Sequence, residues 1–228
     1  MNLSIKKLWF LDFETNKAGD FYLAGLMNKF DFEQVVLHQG LEGLADYQGL
    51  KIEKPEIFIS SLLETIADDG GILVAYSLAE QEAISRCIPP GQVTEGIHYL
   101  NLRKAAGSWV SKFRKSEMDA LPPLIKTASD YDQKRQRKSL ASICRLIDFP
   151  APKDYAPGKT TSRFNSAISA LEKRQQAYDR LTAVQKAKIT KGLKHNKFDV
   201  LSMAALYLAI NKDDPAILAR STHLMEFN

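Results

Sequence analysis

Residues Leu8 to Thr15 read LWFLDFET, and this stretch decides how the rest of the chain is interpreted. Four residues of apolar character lead into Asp12 and Glu14, which lie two positions apart. Side chains alternate between the two faces of a strand, so both carboxylates are expected on one face. One interpretation is a core strand followed by a solvated turn, because unpaired carboxylates normally stay at the surface. The other is a divalent-cation site, because Mg²⁺ and Mn²⁺ prefer carboxylate oxygens.

The composition is that of a water-soluble globular protein. The chain has 228 residues, of which 45% are hydrophobic and 25% charged, and this length suits one substantial α/β domain. No apolar run approaches the ~20 residues that cross a bilayer, and MNLSIKKLWF has no signal-peptide cleavage pattern. We therefore expect a cytoplasmic protein without a membrane partner. Cys87 and Cys144 have no metal-binding spacing and are expected to be reduced core thiols.

The charges are segregated along the chain. Residues 110–194 contain 19 Lys and Arg against 8 Asp and Glu, whereas the rest of the chain contains 12 against 19. A basic segment of this kind suits binding to a phosphate backbone, where each neutralised phosphate releases counterions. Solvated helix faces would produce the same imbalance, so charge alone leaves both interpretations open.

The first half of the chain predicts a mixed sheet. Apolar runs at 8–13, 20–27 and 32–39 are separated by short turn-prone segments and predict an antiparallel meander. A helix is expected from Pro55 to about Asp68, followed by a buried strand over 72–76, a short helix over 79–86 and a strand over 97–102. Three antiparallel strands followed by alternating helices and strands predict an α/β fold, with five strands flanked by helices.

The second half is expected to be mainly helical. The predicted helices cover residues 104–113, 139–147, 163–179, 182–191 and 194–211, and a long loop covers 116–137. We expect one domain over residues 1–211, with the basic and mainly helical segment at about 110–194. Residues 212–228 are predicted to be a C-terminal tail with at most one helical turn near 216–219.

Residues far along the chain could complete a metal site with Asp12 and Glu14 of the first predicted strand. His195 and Asp199 are four apart, so on a helix they share a face, although a surface pair would have the same spacing. Glu80 falls in the first turn of the helix that follows strand 72–76, where a carboxylate also suits the positive helix end. Glu82 is a competing candidate that faces elsewhere.

The order of these motifs resembles the DEDD exonuclease group of the ribonuclease H-like superfamily. The group has an Asp-x-Glu on the first strand, an acid after the fourth strand and a late helix with His or Tyr four residues before an Asp. More narrowly, YSLAE and HNKFDVLSMAAL look like the YprB-like family of predicted RecB-associated nucleases, whose late motif Asn196, Asp199 and Val200 match. In two places the chain differs from most of the group, with Glu80 in place of Asp and His195 in place of Tyr.

The resemblance implies a ribonuclease H-like fold and a metal-dependent 3′–5′ exonuclease that hydrolyses DNA or RNA with two Mg²⁺ or Mn²⁺ ions. It implies that Asp12 bridges the ions, that Glu14 and Asp199 hold the water-activating ion, and that Glu80 lies near the other. His195 would be the general base, since histidine exchanges protons near neutral pH. Thr15, which follows the acids, would contact the terminal nucleotide or be a simple turn residue.

Basic residues of the second half are the candidates for tracking the nucleic-acid backbone. The main candidates are Lys104, Arg135, Lys138, Lys159, Arg163 and Lys194. Tyr131, Tyr155 and Phe164 are aromatic residues that could stack on bases or simply pack in the core. Alternative functions are a structure-specific endonuclease and a catalytically silent nucleic-acid-binding module. A small-molecule phosphodiesterase would not need so many basic residues.

Overall fold

A seven-stranded mixed sheet forms the centre of the fold. The computed structural model describes residues 5–16, 18–88, 96–124, 136–153, 155 and 158–225. The strands are β1 (Leu8–Thr15), β2 (Phe21–Asn28), β3 (Asp31–Val36), β4 (Lys51–Ile52), β5 (Ile72–Ala75), β6 (His98–Asn101) and β7 (Thr222–Leu224). Their spatial order is β4-β3-β2-β1-β5-β6-β7. The predicted α/β class with a mixed sheet is therefore confirmed.

The strand directions place several chain segments at one edge of the sheet. β1 is antiparallel to β2, and β2 to β3, whereas β5 and β6 run parallel to β1. The C-terminal ends of β1, β5 and β6 consequently lie along the same edge, and the segments that follow them meet there. The sheet has seven strands where five were expected, because the short strands β4 and β7 pair with β3 and β6 as its outermost strands.

Helices cover both faces of this sheet. They are α1 (Glu42–Gln48), α2 (Pro55–Asp68), α3 (Ala79–Cys87), α4 (Leu102–Trp109), α5 (Lys115–Ala120), α6 (Leu140–Ile143), α7 (Thr160–Glu172), α8 (Ala183–Asp213) and α9 (Pro215–Arg220). Leu8 and Phe10 of β1 join the core beneath α4 and α8, whereas Leu11 and Phe13 join the core beneath α2. This alternation follows from the period of two along a strand.

Helix α8 is continuous over 31 residues, where two helices over 182–191 and 194–211 were predicted. It begins with a capping box, in which the Thr182 side chain accepts from the Gln185 backbone and Gln185 returns a contact to the Thr182 backbone. Gly192 lies inside this helix, and a Cβ there would lie 2.9 Å from the ring of Phe164. The glycine is needed for close packing of α7 on α8.

Other boundaries also differ from the predictions. The loop predicted over 116–137 is wrong at its start, where α5 forms and is joined to α4 by a π-helical turn over Val110–Arg114; residues 125–135 lie outside the described part. The helix predicted over 163–179 runs over 160–172 and ends before Gln175 and Gln176, whose φ angles of 52° and 63° are incompatible with a helix.

The segment after residue 211 contributes more than the single turn predicted for it. Helix α9 begins at Pro215, where Asp214 caps it by accepting a hydrogen bond from the Ala216 backbone. Strand β7 then pairs with β6. The elements α1 and β4 were not predicted. No helix in the described part of the chain is long and apolar enough to cross a membrane.

Candidate metal centre

Asp12 lies in a row of facing residues on β1, β2 and β3, and Asn196 of α8 holds it in place. Asp12 lies opposite Gly25 of β2, and Gly25 lies opposite Gln34 of β3. Asn196 of α8 spans this row, donating from Nδ2 to Asp12 Oδ2 at 2.9 Å and to the Asp12 carbonyl at 3.1 Å. Gln34 Nε2 donates in turn to Asn196 Oδ1 at 2.9 Å. The fully buried Asn196 therefore orients the Asp12 carboxylate.

Gly25 allows helix α8 to approach the sheet this closely. A Cβ on Gly25 would lie 2.2 Å from Asn196 Oδ1 and 2.9 Å from Val200 Cγ2. Contacts under 3 Å between such atoms require one of them to move. A glycine inside an otherwise apolar strand is typical of close backbone approach, so FYLAGLMN carried a signal for this contact that was not used.

Glu14 lies on the same face of β1 as Asp12 and is buried. Burial and the nearby Asp199 carboxylate raise its pKa to about 8, against opposing effects of a hydrogen bond with the Thr160 side chain and the positive charge of Arg163. Its Oε1 atom is buried and has no hydrogen-bond partner among the described residues. This oxygen is an available ligand atom.

Asp199 is contacted on both carboxylate oxygens. Tyr155 donates its hydroxyl hydrogen to Oδ1 at 3.0 Å, and His195 Nε2 lies 3.2 Å from Oδ2. The rings of Tyr155 and His195 stack with centroids 4.1 Å apart and an angle of 4° between their planes. Tyr155 therefore covers His195 and also orients Asp199.

The contacts of His195 leave one ring nitrogen without a partner. Because Asp199 offers only acceptor oxygens when ionised, the proton of a neutral imidazole is assigned to Nε2. Nδ1 then carries a lone pair, and it is buried without a hydrogen-bond partner among the described residues. An imidazole oriented by a carboxylate, with its other nitrogen free, can accept a proton or bind a metal ion.

Glu80 enters the site from the start of α3. Ser77 donates from Oγ to Glu80 Oε2 at 3.1 Å, and Tyr99 donates to the Ser77 carbonyl. Burial is the main cause that raises the pKa of Glu80 to about 6, while its hydrogen bonds oppose the shift. Of the two candidate glutamates, Glu80 raises the pKa of Asp12 through its negative charge, whereas Glu82 is exposed to solvent. Glu80 is therefore the one that belongs to the site.

Four carboxylates from β1, α3 and α8 are therefore brought together at the edge where the parallel strands end. Burial raises the pKa of Asp12 well above its usual range, and Asp199, Glu14 and Glu80 each raise it further. Within the described residues, ligand atoms of Glu14, His195 and Asp199 lie within 4.8 Å of one another, and this is the one such group. Asp12 and Glu80 lie outside this tighter group.

These residues suit a divalent cation. Buried carboxylates that repel one another are stabilised in their ionised form by a nearby positive ion, and Glu14 Oε1 and His195 Nδ1 lack other partners. Oxygen ligands with one imidazole are compatible with Mg²⁺ or Mn²⁺. Glu14 and Asp199 would hold an ion most readily, with Asp12 and Glu80 beside them and His195 adjacent.

The residues predicted to bind nucleic acid fall into separate groups. Thr15 accepts a hydrogen bond from Thr161 Oγ1 through its carbonyl, and Arg163 acts on the charge of Glu14. Lys159 is exposed at the start of α7. Lys194 lines a cavity of about 100 Å³ with Tyr155 and His195. Lys104 and Lys138 line a different and larger groove, and Arg135 lies outside the described residues.

Two of the three aromatic candidates lie in the described part of the chain. Phe164 is fully buried and stacks on Tyr22, so it is a core residue. Tyr155 stacks on His195, and Tyr131 lies outside the described residues. The contact between Tyr155 and Asp199 was not predicted. Nothing in the Pro- and Gly-rich sequence around Tyr155 indicates that its side chain packs against residues of α8.

No protein-family model matches this chain, and neither the curated proteins nor the solved structures contain a significant match. The fold and the site geometry are therefore the basis for assigning a function.

Proposed function

We propose that this protein is a metal-dependent phosphodiester hydrolase that acts on nucleic acid, and that it is a 3′–5′ exonuclease of the ribonuclease H-like type. The observation that carries the proposal is the convergence of Asp12, Glu14, Glu80 and Asp199 at one sheet edge, where burial and neighbouring carboxylates raise the pKa values of Asp12 and Glu14. A cluster of ionisable groups with shifted pKa values is typical of a functional site.

Other features of the fold support the same class. Three antiparallel strands lead into parallel strands, and the acids lie on the central strand and on two helices that pack beside it. This arrangement agrees with the ribonuclease H-like resemblance of the motifs. The basic balance of residues 110–194 suits a polyanionic substrate.

In this mechanism each residue has a distinct task. Bound divalent ions would lower the pKa of a water molecule and neutralise the negative charge that develops on the phosphate. Asn196 holds the Asp12 carboxylate toward the site, and Tyr155 fixes Asp199. His195 Nδ1 accepts the proton of the attacking water while Asp199 stabilises the resulting imidazolium through Nε2.

The test uses 5′-labelled single-stranded DNA and RNA incubated with Mg²⁺ or Mn²⁺. We expect stepwise shortening from the 3′ end and release of mononucleotides by the wild-type protein. Asp12→Asn and Asp199→Asn should each lower the rate at least 100-fold, because each removes a charge that the ions require. Asp68→Asn, which changes an exposed acid at the end of α2, is the matched control.

The product pattern separates the alternatives. Internally cut fragments would identify an endonuclease, and salt-sensitive binding without turnover in either metal would identify a silent binding module. Full activity in Asp12→Asn or Asp199→Asn would refute this site.

A further inference from the structure

A second feature of the same sheet edge is a groove of about 990 Å³ beside α4. It is lined by α4, the π-helical turn, α5 and the segments at α6, and its apolar lining residues, called here its floor, are Val110, Met118 and Ile143. The cations that line it are Arg103, Lys104, Lys115, Arg137 and Lys138. Its described lining residues include no carboxylate.

Most of these cations are available to a ligand. Arg137 pairs with Asp119 at 3.1 Å, and both side chains are largely exposed, so this pair is weak. Arg103, Lys104, Lys115 and Lys138 are exposed and make no ion pair within 4 Å with any described residue. Cations that converge on one cavity from three chain segments repel one another, and a polyanion would relieve that repulsion.

The groove is joined to the candidate metal centre through the end of β5. The Tyr76 carbonyl accepts from the Arg103 backbone at 2.9 Å, and the Tyr76 hydroxyl donates to the Lys138 carbonyl at 2.6 Å. The next residue, Ser77, donates to Glu80. Since β5 and β6 are adjacent and parallel, the groove and the acids lie at neighbouring strand ends.

We propose that this groove binds the backbone and bases of single-stranded nucleic acid, on the path that leads into the metal centre; this inference rests on the proposed function. The cations suit phosphates, and the apolar floor suits the faces of unpaired bases or sugars. In a duplex the base faces are stacked on one another, so the floor would have no matching surface. The single strand is therefore the occupant that fits both parts of the groove.

The binding test needs no catalysis. Fluorescence anisotropy with labelled 15-nucleotide oligo(dT) and oligo(U) is measured in EDTA for the wild type and for Lys104→Glu/Lys138→Glu. We expect at least a tenfold weaker affinity in this double variant and a smaller salt slope, because each lost phosphate contact lowers the slope by about 0.7 for a single strand. Lys104→Gln/Lys138→Gln should weaken binding less and is the second variant in case charge reversal impairs folding.

The matched control is Lys6→Glu/Lys7→Glu, which makes the same change of charge. Both residues are exposed and precede β1, so they lie at the opposite edge of the sheet. This control should bind both oligonucleotides with nearly the wild-type affinity. Equal binding by the groove variants, the control and the wild type would overturn the proposal. Preferential binding of a duplex or of poly-glutamate at the groove would also overturn it.

A separate assay distinguishes failure of this inference from failure of the proposed function. Hydrolysis of bis(p-nitrophenyl) phosphate by the wild-type protein in Mn²⁺ reports on the metal centre with a substrate too small to span the groove. Absence of this activity would contradict the proposed function, whereas the groove is judged by binding in EDTA alone. Asp12→Asn should lose hydrolysis and keep oligonucleotide affinity.

Discussion

At the scale of single residues, each carboxylate of the candidate metal centre has a different neighbour that positions it. Asn196 holds Asp12, Thr160 and Arg163 act on Glu14, and Ser77 holds Glu80. These neighbours do not offset burial and the repulsion among the acids, since the pKa values of Asp12 and Glu14 remain raised. The site is consequently organised for an additional positive charge.

The role of Tyr155 in positioning Asp199 can be tested with one variant that removes only its hydroxyl group and another that also removes its ring. Tyr155→Phe keeps the stack on His195 and removes the hydrogen bond to Asp199. Since a hydrogen bond to a charged group contributes about 1.5–3 kcal/mol, we expect kcat to fall by about tenfold or more with a smaller change in KM. Tyr155→Ala should lose more activity because it also removes the stack. Steady-state kinetics check this, with the exposed Tyr47→Phe as control.

If Tyr155→Phe and Tyr155→Ala are both as active as the wild type, Tyr155 does not position Asp199.

The raised pKa of Glu14 predicts how the stability of the metal-free protein depends on pH. Its pKa rises from 4.5 to about 8 on folding, so the protonated form favours the folded state. That contribution is complete below pH 4.5 and is lost as pH rises through 8. Thermal unfolding in EDTA should therefore show a falling Tm between pH 5 and pH 9. Glu14→Gln should reduce the fall, whereas Glu64→Gln, at an exposed position of α2, should not.

Parallel curves of Tm against pH for the wild type and Glu14→Gln would contradict this account of Glu14.

At the scale of elements, the close contact between β2 and α8 determines whether the site forms. The residue pattern predicted β1, β2, β3, α2, β5 and α3 nearly at their observed bounds, because their apolar periodicity is strong. It did not predict that α8 would be continuous, since a glycine such as Gly192 inside a helical pattern lowers the expectation of a helix. The packing of Phe164 against Gly192 is a tertiary contact, which the local pattern does not contain.

The contact of β2 with α8 can be tested at Gly25. Gly25→Ala places a methyl group where Asn196 Oδ1 now lies, so Asn196 and the Asp12 carboxylate must shift. Overpacking of this kind costs about 1–3 kcal/mol, and we expect a lower Tm together with a marked loss of nuclease activity. Ser61→Ala is the control, because it introduces alanine at an exposed position of α2 and alanine favours the helix.

Wild-type activity in Gly25→Ala would show that Asn196 need not occupy its place above β2 for the site to work.

At the scale of the whole molecule, the sheet topology explains why residues far apart in the chain meet. The sequence motifs identified Asp12, Glu14, Glu80, His195 and Asp199 as candidates, and the strand order brings all of them to one edge. The roles of Tyr155 and Gln34 could not be predicted, because they depend on the packing of the Tyr155 side chain against α8 and on the register of β2 with β3. Local pattern carries no information about either.

A metal ion that binds this centre should stabilise the entire domain. Binding at a concentration of 100 times Kd adds about 2.7 kcal/mol, which for a chain of this size raises Tm by roughly 5–10 °C. Thermal unfolding with and without Mn²⁺ measures this. Asp199→Asn should abolish most of the increase, and Asp68→Asn should retain it. An equal increase in Asp199→Asn would place the ion elsewhere.

The most direct test of the metal centre is a crystal of the wild-type protein soaked in Mn²⁺ and measured for anomalous scattering. We expect two peaks about 3.5–4 Å apart, bound among Asp12, Glu14, Glu80 and Asp199, with His195 adjacent. Anomalous density confined to other parts of the surface, with these four carboxylates making no contact to an ion, would contradict this expectation.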